Sequence, residues 1–120
     1  MFRFNRTSSR FETILGANAS FDGRLKCRGG VRIEGELKGS VQTDGNIIVG
    51  KKADCAADLS GRDVLISGIV RGNIRAEGQL AILTGGQVVG DVDVGSILIE
   101  EGGILSGKCT DRSARPAPAS

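Results

Sequence analysis

Val31-Arg32-Ile33-Glu34-Gly35-Glu36-Leu37-Lys38-Gly39 returns 33 positions later as Val64-Leu65-Ile66-Ser67-Gly68-Ile69-Val70-Arg71-Gly72. At that one offset Val41 and Gly45 also meet Ile74 and Gly78, and the second half of the unit continues the match. There Val49, Ala53, Cys55, Ala57 and Leu59 meet Ile82, Gly86, Val88, Gly90 and Val92. The stretch Val31 to Ser96 is therefore one 33-residue unit written twice, without a slip of register.

Each copy divides again into a 16-residue and a 17-residue coil, opening at Val31, Ile47, Val64 and Leu80, with a further coil opening at Ile97. Upstream, Thr13 to Gly30 fits the same template with one extra residue. Repetition at a short fixed period marks a solenoid, in which no unit can bury its own apolar face and stacking buries it instead.

Within a coil, apolar residues fall at alternate positions, as in Val31-Arg32-Ile33 and Val41-Gln42-Thr43, and β-branched types dominate. That pattern suits pleated strands and not helices. Short strands separated by Gly, Asp-Gly, Glu-Gly and Gly-Asn corners fill each coil as one roughly triangular turn. The expected fold is thus all-β, a single-domain β-helix of about six short triangular coils. Its predicted interior is Val31, Ile33, Leu37, Val41, Val49, Leu59, Val64, Ile66, Val70, Ile74, Ile82, Val88, Val92, Ile97 and Ile99.

Composition agrees. The chain has 120 residues, a formal charge of +2 and 25% charged residues, the balance of a folded domain and not of a disordered chain. Its 19 glycines are phased with Val and Ile, which makes them corner residues. With aromatics at 3%, the core must be a narrow column of stacked aliphatic side chains. Cys27, Cys55 and Cys109 are odd in number and form no CxxC pair, which argues against a disulfide framework and for a reducing cytoplasm. Cys55 and Cys109 fall in inward columns, where a buried, inert thiol is the plain reading and metal or redox use the alternative. No apolar h-region opens the chain, so no signal peptide is expected.

Three parts are expected: residues 1–12 as a disordered N-terminal tail, 13–110 as the β-helix, and 111–120 as a disordered C-terminal tail. Residues 1–12 carry Arg3, Arg6 and Arg10 against Glu12, together with Phe2, Phe4 and Phe11. One reading of that segment is an inconsequential loose end. The other is a membrane-surface anchor in which Phe2 and Phe4 insert at the interface while Arg3 and Arg6 face anionic headgroups. Two Phe side chains bind weakly, so such an anchor would act through the avidity of a polymer.

Catalytic readings fail for want of residues. With no His in the chain, the active site of the left-handed β-helix acyltransferases and the zinc ligands of the γ-type carbonic anhydrases cannot be built. Gly85-Gly86-Gln87-Val88 and Gly102-Gly103-Ile104-Leu105 do not continue as calcium β-roll repeats. The carboxylate neighbours Glu34/Glu36, Asp91/Asp93 and Glu100/Glu101 sit at strand ends or corners, where charged residues face water. Basic residues are scattered without interleaved aromatics, which gives nucleic-acid binding little support. Neither an enzyme nor a cofactor is expected.

Thr13-Ile14-Leu15-Gly16, Phe21 and Gly23, Val31 to Gly39, and the closing Gly102-Gly103-Ile104-Leu105-Ser106-Gly107-Lys108-Cys109 together resemble the bactofilins. The resemblance spans about residues 13 to 110, and Met1-Phe2-Arg3-Phe4 is similar to the short membrane-targeting peptide of many members. It implies a right-handed β-helix that polymerises without nucleotide into bacterial cytoskeletal filaments. These often lie at the inner face of the cytoplasmic membrane, where they position cell-wall enzymes. Leu105 stands where members commonly close with an aromatic residue, and Gly103 where Ala is common.

A β-helix has two open ends, and soluble solenoids cover theirs with capping helices or polar repeats. This sequence shows no such cap. Its first coil opens with Ile14, Leu15, Phe21 and Leu25, and its last closes with Ile97, Ile99, Ile104 and Leu105. These eight residues are the expected polymerisation surfaces, with like ends meeting if the resemblance holds; tails folded over the ends are the alternative. Two functions follow: a structural homopolymer on the membrane that scaffolds a morphogenesis enzyme, or a non-polymerising adaptor that binds one protein through its strand faces.

Overall fold

The computed structural model describes residues 13–111. They form a parallel β-solenoid whose coils each contribute a strand to three faces. The first face stacks β1 (Thr13–Leu15), β3 (Val31–Ile33), β5 (Ile47–Val49), β7 (Val64–Ile66) and the C-terminal halves of β9 (Ile74–Ile82) and β11 (Val92–Ile99). The second stacks the N-terminal halves of β2 (Ser20–Cys27), β4 (Glu36–Thr43) and β6 (Asp54–Gly61) with β8 (Ile69–Arg71), β10 (Gln87–Val89) and β12 (Ile104–Ser106). The third joins the remaining halves of those long strands to β13 (Cys109–Asp111). Six coils result, opening at Thr13, Val31, Ile47, Val64, Leu80 and Ile97 as the repeat predicts.

Strand periodicity of two puts alternate side chains inside, and parallel pairing sets like on like from coil to coil. On the first face Leu15, Ile33, Val49, Ile66, Ile82 and Ile99 form one inward column. On the second it is Phe21, Leu37, Cys55, Val70, Val88 and Leu105. On the third it is Leu25, Val41, Leu59, Ile74, Val92 and Cys109. Each fully buried aliphatic side chain contributes about 1.5–3 kcal/mol, so the stacked columns are the source of stability. All thirteen predicted residues from Val31 to Val92 are buried.

The interior is wider than predicted. Ile47, Leu80 and Val94 are also sealed, as are the small residues Ala53, Ala57, Ala76 and Ala81. Thr43 is the one buried polar side chain among the described residues. Its hydroxyl donates to the Gly29 carbonyl and accepts the Gly45 N–H, so the cost of burying it is offset by hydrogen bonds.

The alternation of 16- and 17-residue coils has a local cause. In the shorter coils one corner is tight: Leu37 follows Val31 by six residues, and Val70 follows Val64 by six. In the longer coils Cys55 follows Ile47 by eight, as Val88 follows Leu80, and the added residues form turns closed by Ala53 N–H to Gly50 O and by Gly86 N–H to Leu83 O. Those longer coils recover one residue at the last corner, where the single Gly95 of β11 opposes Glu77 and Gly78 of β9 as a bulge.

Candidate assembly surfaces

The inward columns run out at both ends. β1 pairs only with β3, and β2 only with β4, so the N-terminal edge offers a row of strand backbone with no neighbour beyond it. Leu15, Phe21, Leu25 and Cys27 continue the core there but are only partly covered. Leu15, Phe21 and Leu25 line a hollow of about 80 Å³ with Val31, Ile33 and Leu37. At the C-terminal edge, β12, β13 and the C-terminal half of β11 pair on one side only. Ile97 and Leu105 pack against the core from that side.

Two of the predicted interior residues behave differently from the rest. Ile97 is partly buried and Ile99 is 43% exposed, although both stand in inward register over Leu80 and Ile82. They point inward, but no coil follows to cover them. A further difference concerns Ile14 and Ile104, 64% and 52% exposed. Ile14 is the middle residue of β1 and pairs with Arg32, while Ile104 pairs with Gln87, so both belong to outward columns and not to the apolar column ends. In a three-residue strand whose outer two residues point in, the middle one must point out. The structure thus brings Leu15, Phe21 and Leu25 together at one end and Ile97, Ile99 and Leu105 at the other; the Ile14 and Ile104 side chains stand in outward columns beside them, Ile14 still at the margin of the N-terminal hollow.

The third face carries a shallow groove of about 530 Å³ lined by Asp58, Asn73, Asp91, Arg75 and Lys108. Its corner side chains are engaged in holding coils together. The Asn73 N–H donates to Asp58 Oδ1 (3.0 Å), the Asp91 N–H to Asn73 Oδ1 (3.4 Å), and the Lys108 N–H to Asp91 Oδ1 (3.3 Å). Among the described residues no group of three or more His, Cys, Asp or Glu is placed to hold a metal ion, and no helix is long and apolar enough to cross a membrane. The membrane-targeting residues expected from sequence, Phe2, Arg3, Phe4 and Arg6, lie outside the described residues. Cys55 is buried, and desolvation, followed by the charge of Asp54, pushes its thiol up to about 12.

The profile of a family described as "Bactofilin: Polymer-forming cytoskeletal" matches residues 13–110. The chain belongs to the bactofilin family. It is 30% identical over 102 residues to bactofilin BacO of Myxococcus xanthus (strain DK1622), a match covering 85% of this chain and 81% of that one. Bactofilin BacP of the same organism is 25% identical over 96 residues, covering 80% of this chain and 40% of its own length. Among solved structures, the cryo-EM reconstruction of Thermus thermophilus bactofilin double helical filaments superposes with a TM-score of 0.70 at 27% identity. That match covers 81% of this chain and 98% of the other. Bactofilins are structural, polymer-forming cytoskeletal proteins, and the chain is accordingly not an enzyme.

Proposed function

We propose that this bactofilin polymerises end to end, without nucleotide, into non-polar filaments that lie at the inner face of the bacterial cytoplasmic membrane and scaffold a cell-wall or morphogenesis enzyme. The observation that carries the reading is the pair of uncovered column ends, Leu15, Phe21 and Leu25 against Ile97, Ile99 and Leu105, each framed by strand backbone without a partner. Unpaired strand edges are templates for another strand. A second copy offers the same spacing of strands and columns, so its coils continue the ladder. Hydrolysis of a nucleotide has no place in that step, because burial of apolar columns and completion of backbone hydrogen bonds drive it. By likeness to the Thermus filaments, two such polymers wind about one another.

Attachment to the membrane falls to Phe2, Arg3, Phe4 and Arg6, each copy binding weakly and the polymer binding strongly. The chain carries Arg3, Arg6 and Arg10 ahead of the solenoid, the sign of charge that anionic lipid attracts.

Electron microscopy of the purified full chain in nucleotide-free buffer tests the first part: filaments are expected, and small particles alone would favour the adaptor reading. Vesicle co-sedimentation tests the second, with the full chain pelleting with anionic vesicles and a chain beginning at Thr13 staying in the supernatant. Equal pelleting of the two ends the membrane assignment.

A further inference from the structure

The three outer faces of the solenoid are not alike. On the third, the outward positions are polar in every coil, as in the column Lys26, Gln42, Ser60, Arg75, Asp93 and Thr110. On the second, Ile69, Val89 and Ile104 are mixed with Glu36, Lys38, Asp54 and Arg71. On the first, each coil turns out the middle residue of its strand, and these residues form one column: Ile14, Arg32, Ile48, Leu65, Ala81 and Leu98. Five of the six are apolar: Ile14 (64%) and Leu98 (48%) are exposed, Ile48 and Leu65 are half-buried, and the small Ala81 is buried between its neighbours at 6%. The one charge is turned aside, since Arg32 Nε pairs with Glu34 Oε2 at 2.5 Å.

The geometry points to this stripe as the lateral docking surface for a second copy of the polymer, isologous and stripe against stripe. The inference rests on the filament reading above and names the face by which two filaments pair. Three observations favour a second copy over other occupants. The stripe is one residue wide and repeats once per coil, at the strand spacing of about 4.8 Å; a partner with the same ruler is another solenoid, whose stripe interdigitates as like side chains do between paired sheets. It runs across all six coils from the first to the last, perpendicular to the strands. End-to-end joining therefore prolongs it from subunit to subunit, so that lateral contacts weak in one copy add along the filament. Its borders carry Glu34, Asp63 and Glu100, with the Asp63 and Glu100 carboxylates accepting backbone N–H groups of Gln79 and Thr84. With Lys51, Lys52 and Arg62 at the same corners the rim carries both signs of charge, and it makes a polar border to an apolar seam.

The test uses the full chain with Leu65→Lys and, separately, Ile48→Thr, which keeps a β-branched residue in the strand. Wild-type filaments are expected to be paired. Both variants are expected to give single filaments of undiminished length with the thermal transition retained, Leu65→Lys abolishing pairing and Ile48→Thr reducing it. Paired filaments persisting in both variants overturn the proposal. So does a folded variant that forms no filaments, because the stripe then serves growth and not pairing. Pairing that persists while vesicle binding is lost assigns the stripe to the membrane and likewise overturns it. Wild-type filaments that are already single, while a chain beginning at Thr13 pairs, assign it to this chain's own N-terminal segment. Particles alone from the wild type sink the filament reading and the pairing with it, whereas single filaments from the wild type sink only the pairing.

Discussion

In the middle of the solenoid Leu37, Cys55, Val70 and Val88 have a coil on either side and are sealed from water. Phe21 and Leu105, in the same register, have a coil on one side only and remain part exposed. Sequence pattern gives a residue its direction; its position along the stack decides whether that direction leads to stability or to assembly. Repeat proteins make this separation sharp, since each coil interacts only with its neighbours. The largest test of the middle is Ile66→Asp. It places a charge without a partner in a dry column, at a cost above about 4 kcal/mol, and should abolish the cooperative thermal transition. An unchanged transition would show that Ile66 does not lie in the column.

A glycine ladder repeats the comparison at the backbone. Gly23, Gly39, Gly72, Gly90 and Gly107 share one corner, with Ala57 in the third coil. Gly39 has φ of +119°, and a Cβ there would lie 1.9 Å from the carbonyl oxygen of Gly23 in the coil below. Gly39→Ala combines an unfavourable backbone with that clash and should cost about 2–4 kcal/mol. Gly23 has φ of +147° but no coil beneath it, and its nearest neighbour would be Phe21 at 3.9 Å. Gly23→Ala should therefore cost only about 1–2 kcal/mol in the free subunit, yet impede contact at the N-terminal end. Denaturant melts beside light-scattering assays separate the two; equal destabilisation by both would mean that cover does not distinguish them.

How far the sequence could be read follows the same division. The inward columns were legible because a constant offset repeats Val31, Ile33 and Leu37 as Val64, Ile66 and Val70. Ile14 and Ile104 are apolar residues of the end coils, and that alone does not tell which way their side chains point. Their own alignment with Arg32 and Gln87 carried the correct signal. The outward stripe was missed for a related reason. Ile47-Ile48-Val49, Val64-Leu65-Ile66 and Ile97-Leu98-Ile99 read as core strands, and three apolar residues in a row hide the outward member between two inward ones. The small buried residues Ala53, Ala57 and Ala76 give little hydrophobic signal by themselves, because a methyl side chain weighs little in an apolar pattern.

At the C-terminal end, Leu105→Arg leaves the buried columns intact, so stability should change by less than about 1 kcal/mol. Assembly should change far more. An arginine in the contact would be desolvated without a partner, and growth should stop at a dimer joined through N-terminal ends, a species that analytical ultracentrifugation resolves from monomer and polymer. Long filaments from this variant would remove the C-terminal coil from the interface, and monomers alone would remove the meeting of N-terminal ends.

The last comparison concerns two thiols in the same arrangement. Cys55 lies mid-column with its ionisation pushed up to about 12 by burial and then by Asp54, against 9.0 for an ordinary thiol. Below pH 9 neither the folded nor the unfolded chain ionises this group, and stability does not depend on it. Between about 9 and 12 the unfolded chain releases a proton that the folded chain keeps, so the stability this group contributes falls by about 1.4 kcal/mol per pH unit. Cys55→Ala should flatten that slope in denaturant melts and leave stability at pH 7 lower by the small cavity alone. Cys109 is exposed at the uncovered end of its column; burial first and Asp111 second raise its ionisation as well. A thiol reagent at pH 8 should therefore modify Cys109 in the Leu105→Arg dimer while sparing Cys55. In the wild-type polymer Cys109 should become protected too, because the next subunit covers it. Equal reaction of Cys109 in polymer and dimer would show that the C-terminal ends do not meet.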